Sequence, residues 1–140
     1  MRPNETLGPP VLDASAILAF LQSEPGADQV TEVLQDSVIS AVNLAEVLQK
    51  SIAHDIDITG LAADLEALGL RTLPFDQALA ELSASIWPLT RSYGLSFADR
   101  ACFALGLQLN STVYTGDQEW AKVGPRLRVP VKLIRRVGGA

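Results

Sequence analysis

Apolar positions along this chain fall into two kinds of run. Short runs apolar on both faces, PPVLDAS (9–15), SVISA (37–41), LRTLPF (70–75), STVYTG (111–116) and VPVKLIRR (129–136), are bounded by Gly, Pro or polar residues and predict strands. Between them lie longer segments of helical composition: SAILAFLQ, GADQVTEVLQ, NLAEVLQKSIAH, GLAADLEALG, a pattern from Asp76 to Ser92, and FADRACFALGL. Pro88 is expected to kink the fifth of these one turn before its end, and DQEWAKVG (117–124) reads as a short turn. Strands that hide both faces and alternate with helices imply an α/β fold: one three-layer α/β/α domain around a parallel sheet of about five strands. In such sheets ligands bind beyond the carboxyl ends of the strands.

That edge is where the acids fall. Asp13 ends the first strand and Asp117 follows the fourth, while Glu46 and Asp99 are expected in the first turns of their helices. Each has an ordinary structural explanation. Asp13 and Asp117 would cap the helices they precede, and Ser96 to Asp99 has the spacing of a capping box, as has Asn43 to Glu46 with a less usual cap residue. Convergence argues for more than capping. Asp99 begins a helix apolar nearly all round, and Glu46 lies opposite the stripe Leu44, Val47, Leu48 and Ile52, which is expected to face the core. Carboxylates removed from water need partners, and oxygen donors without clustered His or Cys suit a hard cation, Mg²⁺ or Mn²⁺, in preference to zinc.

Composition narrows the field further. A chain of 140 residues, 48% hydrophobic with mean hydropathy +0.21, fits a single domain with a filled core, here taken as 11–140 after an N-terminal extension of residues 1–10. No apolar run approaches the roughly 18 residues of a membrane span, and MRPNETLGPP lacks a signal-peptide core, so a cytoplasmic location is expected. Cys102, the single cysteine, reads as a core residue and excludes an intramolecular disulfide framework. His54, the single histidine, sits where a helix ends, reads as solvated, and seeds no nucleophilic triad. Trp87 and Trp120 read as core anchors, and no glycine-rich phosphate loop is present. The net charge is −5, yet Lys122, Arg126, Arg128, Lys132, Arg135 and Arg136 follow one another with no acid after Glu119. Such a strip is either a solvated face or a track for a polyanion.

Four segments, VLDASAILAFLQSEPG, SAVNLAEVLQK, GLSFADRACFALGLQLNSTVYTGDQEW and VKLIRR, together resemble a PIN domain, and among PIN domains the VapC ribonuclease toxins of bacterial toxin–antitoxin pairs. The resemblance covers nearly all of the chain after Pro10, and GLSFADRAC is its most particular element. It implies Mg²⁺- or Mn²⁺-dependent endoribonuclease activity, with Asp13, Glu46, Asp99 and Asp117 as the metal-holding catalytic acids. It also implies polar support from Ser15, Asn43 and Thr115, a homodimer, and silencing by a VapB-type antitoxin. Arg100, Arg126 and Arg128 are candidate RNA contacts. Two rivals stand beside it. One is a PIN-fold module that binds RNA or protein without cutting. The other is an aspartate phosphotransfer domain, in which Asp76 and Lys132 mimic a phosphoacceptor and its lysine.

Overall fold

Five short strands form one parallel sheet in the computed structural model, which describes residues 8–135. They are β1 (Val11–Leu12), β2 (Val38–Ser40), β3 (Arg71–Leu73), β4 (Val113–Thr115) and β5 (Val131–Leu133), ordered β3-β2-β1-β4-β5. β1 is central, with Val11 opposite both Val38 and Val113. Successive strand residues point to opposite faces, so Val11, Val38 and Val113 enter one apolar cluster while Leu12, Ile39 and Tyr114 enter another. Helices cover both faces.

The second cluster is closed by α1 (Ala14–Leu21), α2 (Ala27–Val33), α3 (Ala41–Ala53) and α4 (Leu61–Ala67), through Ile17, Val30, Val47 and Leu65. The first is closed by α5 (Gln77–Ser85), α7 (Phe97–Leu109) and α8 (Trp120–Leu127), through Leu79, Phe103, Trp120, Val123 and Leu127. α6 (Trp87–Thr90) and a 3-10 turn (Arg91–Tyr93) lead from α5 to α7. This is the expected three-layer α/β/α architecture. In α7 every residue from Ala101 to Gly106 is buried, as its all-round apolarity requires. Gly106 lets that helix close on the sheet, since a Cβ there would lie 2.7 Å from Val113 Cγ2. Of the N-terminal extension, residues 1–7 lie outside the described residues, while Gly8 N–H donates to the Asn110 carbonyl at the end of α7 (3.3 Å).

Four expectations require correction. DQEWAKVG is more than a turn: after Asp117–Glu119 the chain enters α8, whose Trp120, Val123 and Leu127 are buried at helical spacing. Gly124 and Pro125 mask this helix in the sequence, and packing of its apolar stripe outweighs the hydrogen bond that Pro125 removes. Pro88 does not kink one long helix. It stands in the first turn of α6, where a missing N–H is not needed, and a new helix starts there. Trp87, the first residue of α6, is 48% exposed, with the Arg91 guanidinium 5.7 Å from its ring, so only Trp120 of the two tryptophans anchors the core. Ile52 is 56% exposed because the last turn of α3 runs past the second cluster. Cys102 is buried and His54 is an exposed cap at the end of α3, both as expected.

Candidate active site

Asp13 is the next residue after β1 and the N-cap of α1, accepting from Ala16 N–H at 2.9 Å. It is only 5% exposed. Its Oδ1 also accepts from Ser15 Oγ (2.7 Å) and its Oδ2 from Thr115 Oγ1 at the end of β4 (2.6 Å). Those hydroxyls are held in turn, Ser15 Oγ by Gly116 N–H (2.8 Å) and Thr115 Oγ1 by Asp117 N–H (3.0 Å). Both hydroxyl protons are therefore committed to Asp13, which fixes its carboxylate. Burial nonetheless raises its pKa to about 6, against the lowering by Thr115, Ser15 and Ala16, and the charge of Asp99 adds to the rise.

Asp99 is a helix cap and something further. Ser96 Oγ accepts from Asp99 N–H and Asp99 Oδ2 accepts from Ser96 N–H, both at 3.1 Å, completing the expected capping box. Burial lifts its pKa above the ordinary value; the two bonds to Ser96 lower it, and the charges of Glu46 and Asp117 raise it. Asp99 thus feels its counterparts on two other elements. Glu46 lies in the second turn of α3, not the first, because that helix begins at Ala41 with Ser40 as its cap. Asn43 is consequently inside the helix and caps nothing. Its Nδ2 donates to Glu46 Oε1 (3.1 Å) and to the Ala98 carbonyl on α7 (3.0 Å), and its buried Oδ1 has no partner among the described residues. Asp117 is exposed beyond β4 and accepts from Glu119 N–H at 3.0 Å in a local turn. Its side chain does not cap α8, whose N-cap is Glu119.

The carboxylates divide by what remains open. Asp13 has both oxygens engaged, whereas Glu46 Oε2, Asp99 Oδ1 and Asp117 Oδ2 make no hydrogen bond among the described residues. No three His, Cys, Asp or Glu side chains among the described residues form a ready-made metal cage. The donor set still fits a hard divalent cation: all donors are oxygen, and at this edge the charges of Glu46 and Asp117 raise the pKa of Asp99, as the charge of Asp99 raises that of Asp13. Asn43 Oδ1 adds a buried neutral acceptor beside Glu46. Asp76, which a phosphotransfer reading needs as phosphoacceptor, caps α5 through Leu79 N–H (3.0 Å).

The three candidate arginines do not gather here. Arg100 Nη1 donates to the Ser83 carbonyl (3.2 Å), with its guanidinium 5.9 Å from the Phe97 ring. α8 leaves the carboxyl edge after β4 and descends to the start of β5, so Arg126 and Arg128 lie toward the opposite edge. Arg126 Nε donates to the Leu89 carbonyl (2.9 Å), and Arg128 is the left-handed cap of α8 with φ 57°. Among the described residues the basic side chain that does reach the site is Arg135, which stands just beyond β5 with its guanidinium against Gly116, between Thr115 and Asp117. Position in the chain could not separate it from its basic neighbours; only the sheet order brings the end of β5 beside the end of β4.

A family model for the PIN domain matches residues 11–125. The chain belongs to the PIN-domain family. The match contains Asp13, Glu46, Asp99 and Asp117 with Ser15, Asn43 and Thr115, and stops short of Arg126, Arg128 and Arg135. As a fold, this PIN domain is similar to a toxin–antitoxin complex from Klebsiella pneumoniae, with 18% identity, TM-score 0.67, and coverage of 91% of this chain and 98% of that one. It is similar to FitAcB from Neisseria gonorrhoeae (24% identity, TM-score 0.64, 89% and 97% covered). It is also similar to DNA-bound VapBC from Salmonella typhimurium (14% identity, TM-score 0.69, 91% and 99% covered). Curated protein sequences give no match. Among the described residues no helix is long and apolar enough to cross a membrane.

Proposed function

We propose that this PIN domain is a Mg²⁺- or Mn²⁺-dependent endoribonuclease, the toxin of a type II toxin–antitoxin pair. The observation that carries the reading is the gathering of these acids at the carboxyl edge of the sheet: Thr115 links Asp13 to the backbone of Asp117, Asn43 links Glu46 to the residue before Asp99, and the charges of Glu46 and Asp117 act on Asp99 as that of Asp99 acts on Asp13. Repulsive clusters of this kind cost stability and are retained where a cation binds. Asp13, immobilised by Ser15 and Thr115, is the fixed anion. Asp99, Asp117 and Glu46 offer their remaining oxygens, with Asn43 holding Glu46 in place. A bound divalent ion would supply the positive charge that offsets a phosphodiester and the acidified water that attacks it. The protein's own part is to set the donors at one edge, keep Asp13 partly desolvated, and leave Asp117 open to substrate.

The partner reading is supported by the neighbours in fold, which include a toxin–antitoxin complex and a VapBC assembly. A VapB-type antitoxin, a homodimeric toxin and a cytoplasmic site of action complete the proposal. Incubating the purified protein with total cellular RNA in Mg²⁺, in Mn²⁺ or in EDTA, and mapping the new ends, tests the activity. Defined ends that need the metal support the nuclease and name its target. Identical RNA profiles in all three would replace it with a module that binds without cutting. Growth arrest on expression alone, relieved by co-expression of an antitoxin encoded beside it, tests the toxin role.

A further inference from the structure

We infer that Arg135 is a substrate contact, gripping an RNA phosphate that flanks the one held at the acidic edge; the inference rests on the nuclease reading above. Gly116 provides the first observation. Its backbone does not need glycine through a positive φ, since the described glycines that have one are Gly26, Gly60, Gly69 and Gly94. What glycine supplies is room. A Cβ on Gly116 would lie 2.8 Å from Arg135 Cζ and 2.9 Å from its Nε, with Nη2 closer still. The guanidinium therefore packs closely against the main chain that joins Thr115, a partner of Asp13, to Asp117.

The second observation is how little occupies that guanidinium. Among the described residues it makes one long hydrogen bond, from Nη1 to the Pro25 carbonyl (3.4 Å). An arginine carries five N–H donors in a planar fork that matches two phosphate oxygens, and four of the five make no hydrogen bond here among the described residues, with the side chain half-buried at the site's wall. Its base is secured: Ile134 N–H donates to the Thr115 carbonyl (3.0 Å), which ties the residue before Arg135 to the end of β4. Arg100 is turned to Ser83, while Arg126 and Arg128 lie toward the other edge, so among the described residues Arg135 is the guanidinium at the wall of the acidic site. A polyanion approaching four carboxylates needs a compensating cation beside any bound metal, and Arg135 supplies it at a fixed place.

The test measures binding apart from cleavage. In an Asp99→Asn background, which the nuclease reading makes inactive, binding of a fluorescent single-stranded RNA oligonucleotide is titrated across salt concentrations. Arg135→Ala should weaken binding roughly tenfold, as loss of a charge-assisted contact does, and reduce the salt slope by about 0.7, the value for one phosphate on a single strand. Arg135→Lys should keep the slope but lose affinity with the fork, and Gly116→Ala, which keeps the charge and displaces the guanidinium, should do likewise. In the active enzyme Arg135→Ala should raise KM more than it lowers kcat. Binding to the Asp99→Asn protein that is indifferent to Arg135→Ala overturns this assignment and leaves the nuclease reading standing. An Asp99→Asn protein and a parent that both fail to bind RNA overturn the two together. Melting curves identify any variant that is misfolded, and Arg135→Lys then carries the comparison.

Discussion

Thr115 Oγ1 donates to Asp13 Oδ2 at 2.6 Å while accepting from Asp117 N–H at 3.0 Å, so one hydroxyl fixes one acid and positions the backbone of another. Thr115→Val keeps the shape and removes both bonds. It should cost about 1–3 kcal/mol in urea unfolding, because a buried acceptor and a partly buried N–H lose their partners. Thr115 lowers the pKa of Asp13, so its loss should also move the acid limb of the cleavage profile to higher pH. Thr115→Ser should restore both properties.

Asp99 and Ser96 separate capping from metal holding. Ser96→Ala should cost about 1 kcal/mol and leave the rise in melting temperature produced by Mn²⁺ intact. Asp99→Asn keeps an acceptor for Ser96 N–H and removes a charge repelled by Glu46 and Asp117. It should melt no earlier than the parent in EDTA, and should lose both cleavage and the gain from Mn²⁺. If Asp99→Asn melts early and still gains stability from Mn²⁺, Asp99 is only a cap.

Acidity gives a third prediction. The pKa of Asp13 is about 6 in the folded protein against an ordinary 3.8, so the folded state binds this proton more tightly than the unfolded chain does. The contribution to stability is fully present below pH 3.8 and is lost as the pH rises through about 6. In EDTA the protein should lose on the order of 3 kcal/mol between those limits from this group, with Asp99 acting in the same direction. Asp13→Asn should flatten the profile measured by chemical denaturation. With Mn²⁺ the trend should weaken or reverse, because the cation competes with the proton.

Arg126 should behave differently from Arg135. It joins α8 to the Leu89 carbonyl, so Arg126→Ala should lower stability by about 1 kcal/mol. Its effect on the salt slope of RNA binding should be smaller than that of Arg135→Ala, which parallel titrations of the two variants would show.

The alternation of apolar runs with helical segments revealed the sheet, its layers and its carboxyl edge, most plainly at β1 and β2, which are buried on both faces, while the outer strands β3 and β5 carry exposed Arg71 and Lys132. The capping boxes divided. Ser96 and Asp99 form one, since serine is a strong cap, whereas Asn43 and Glu46 share the spacing inside a helix that Ser40 has already begun. α8 was hidden because Gly124 and Pro125 argue locally against a helix that Trp120, Val123 and Leu127 stabilise through distant contacts. The place of Arg135 was hidden for another reason: strand order is a long-range property, and the pairing of β4 with β5 is what turns a basic tail into part of a site.

The acids come from both sides of the sheet. Glu46 rides on α3 and Asp13 opens α1, above one apolar cluster, while Asp99 opens α7 above the other. Without a cation, the charge of Glu46 on one layer opposes that of Asp99 on the other at the carboxyl edge, against cores that hold the layers together below. The molecule is therefore built like a spring clip whose jaws are the first two turns of α3 and the first turn of α7, pinned by Asn43 reaching from one to the carbonyl of Ala98 on the other. Amide exchange should be fastest at those jaws when they are empty, and should slow on both layers at once when they close on a charge.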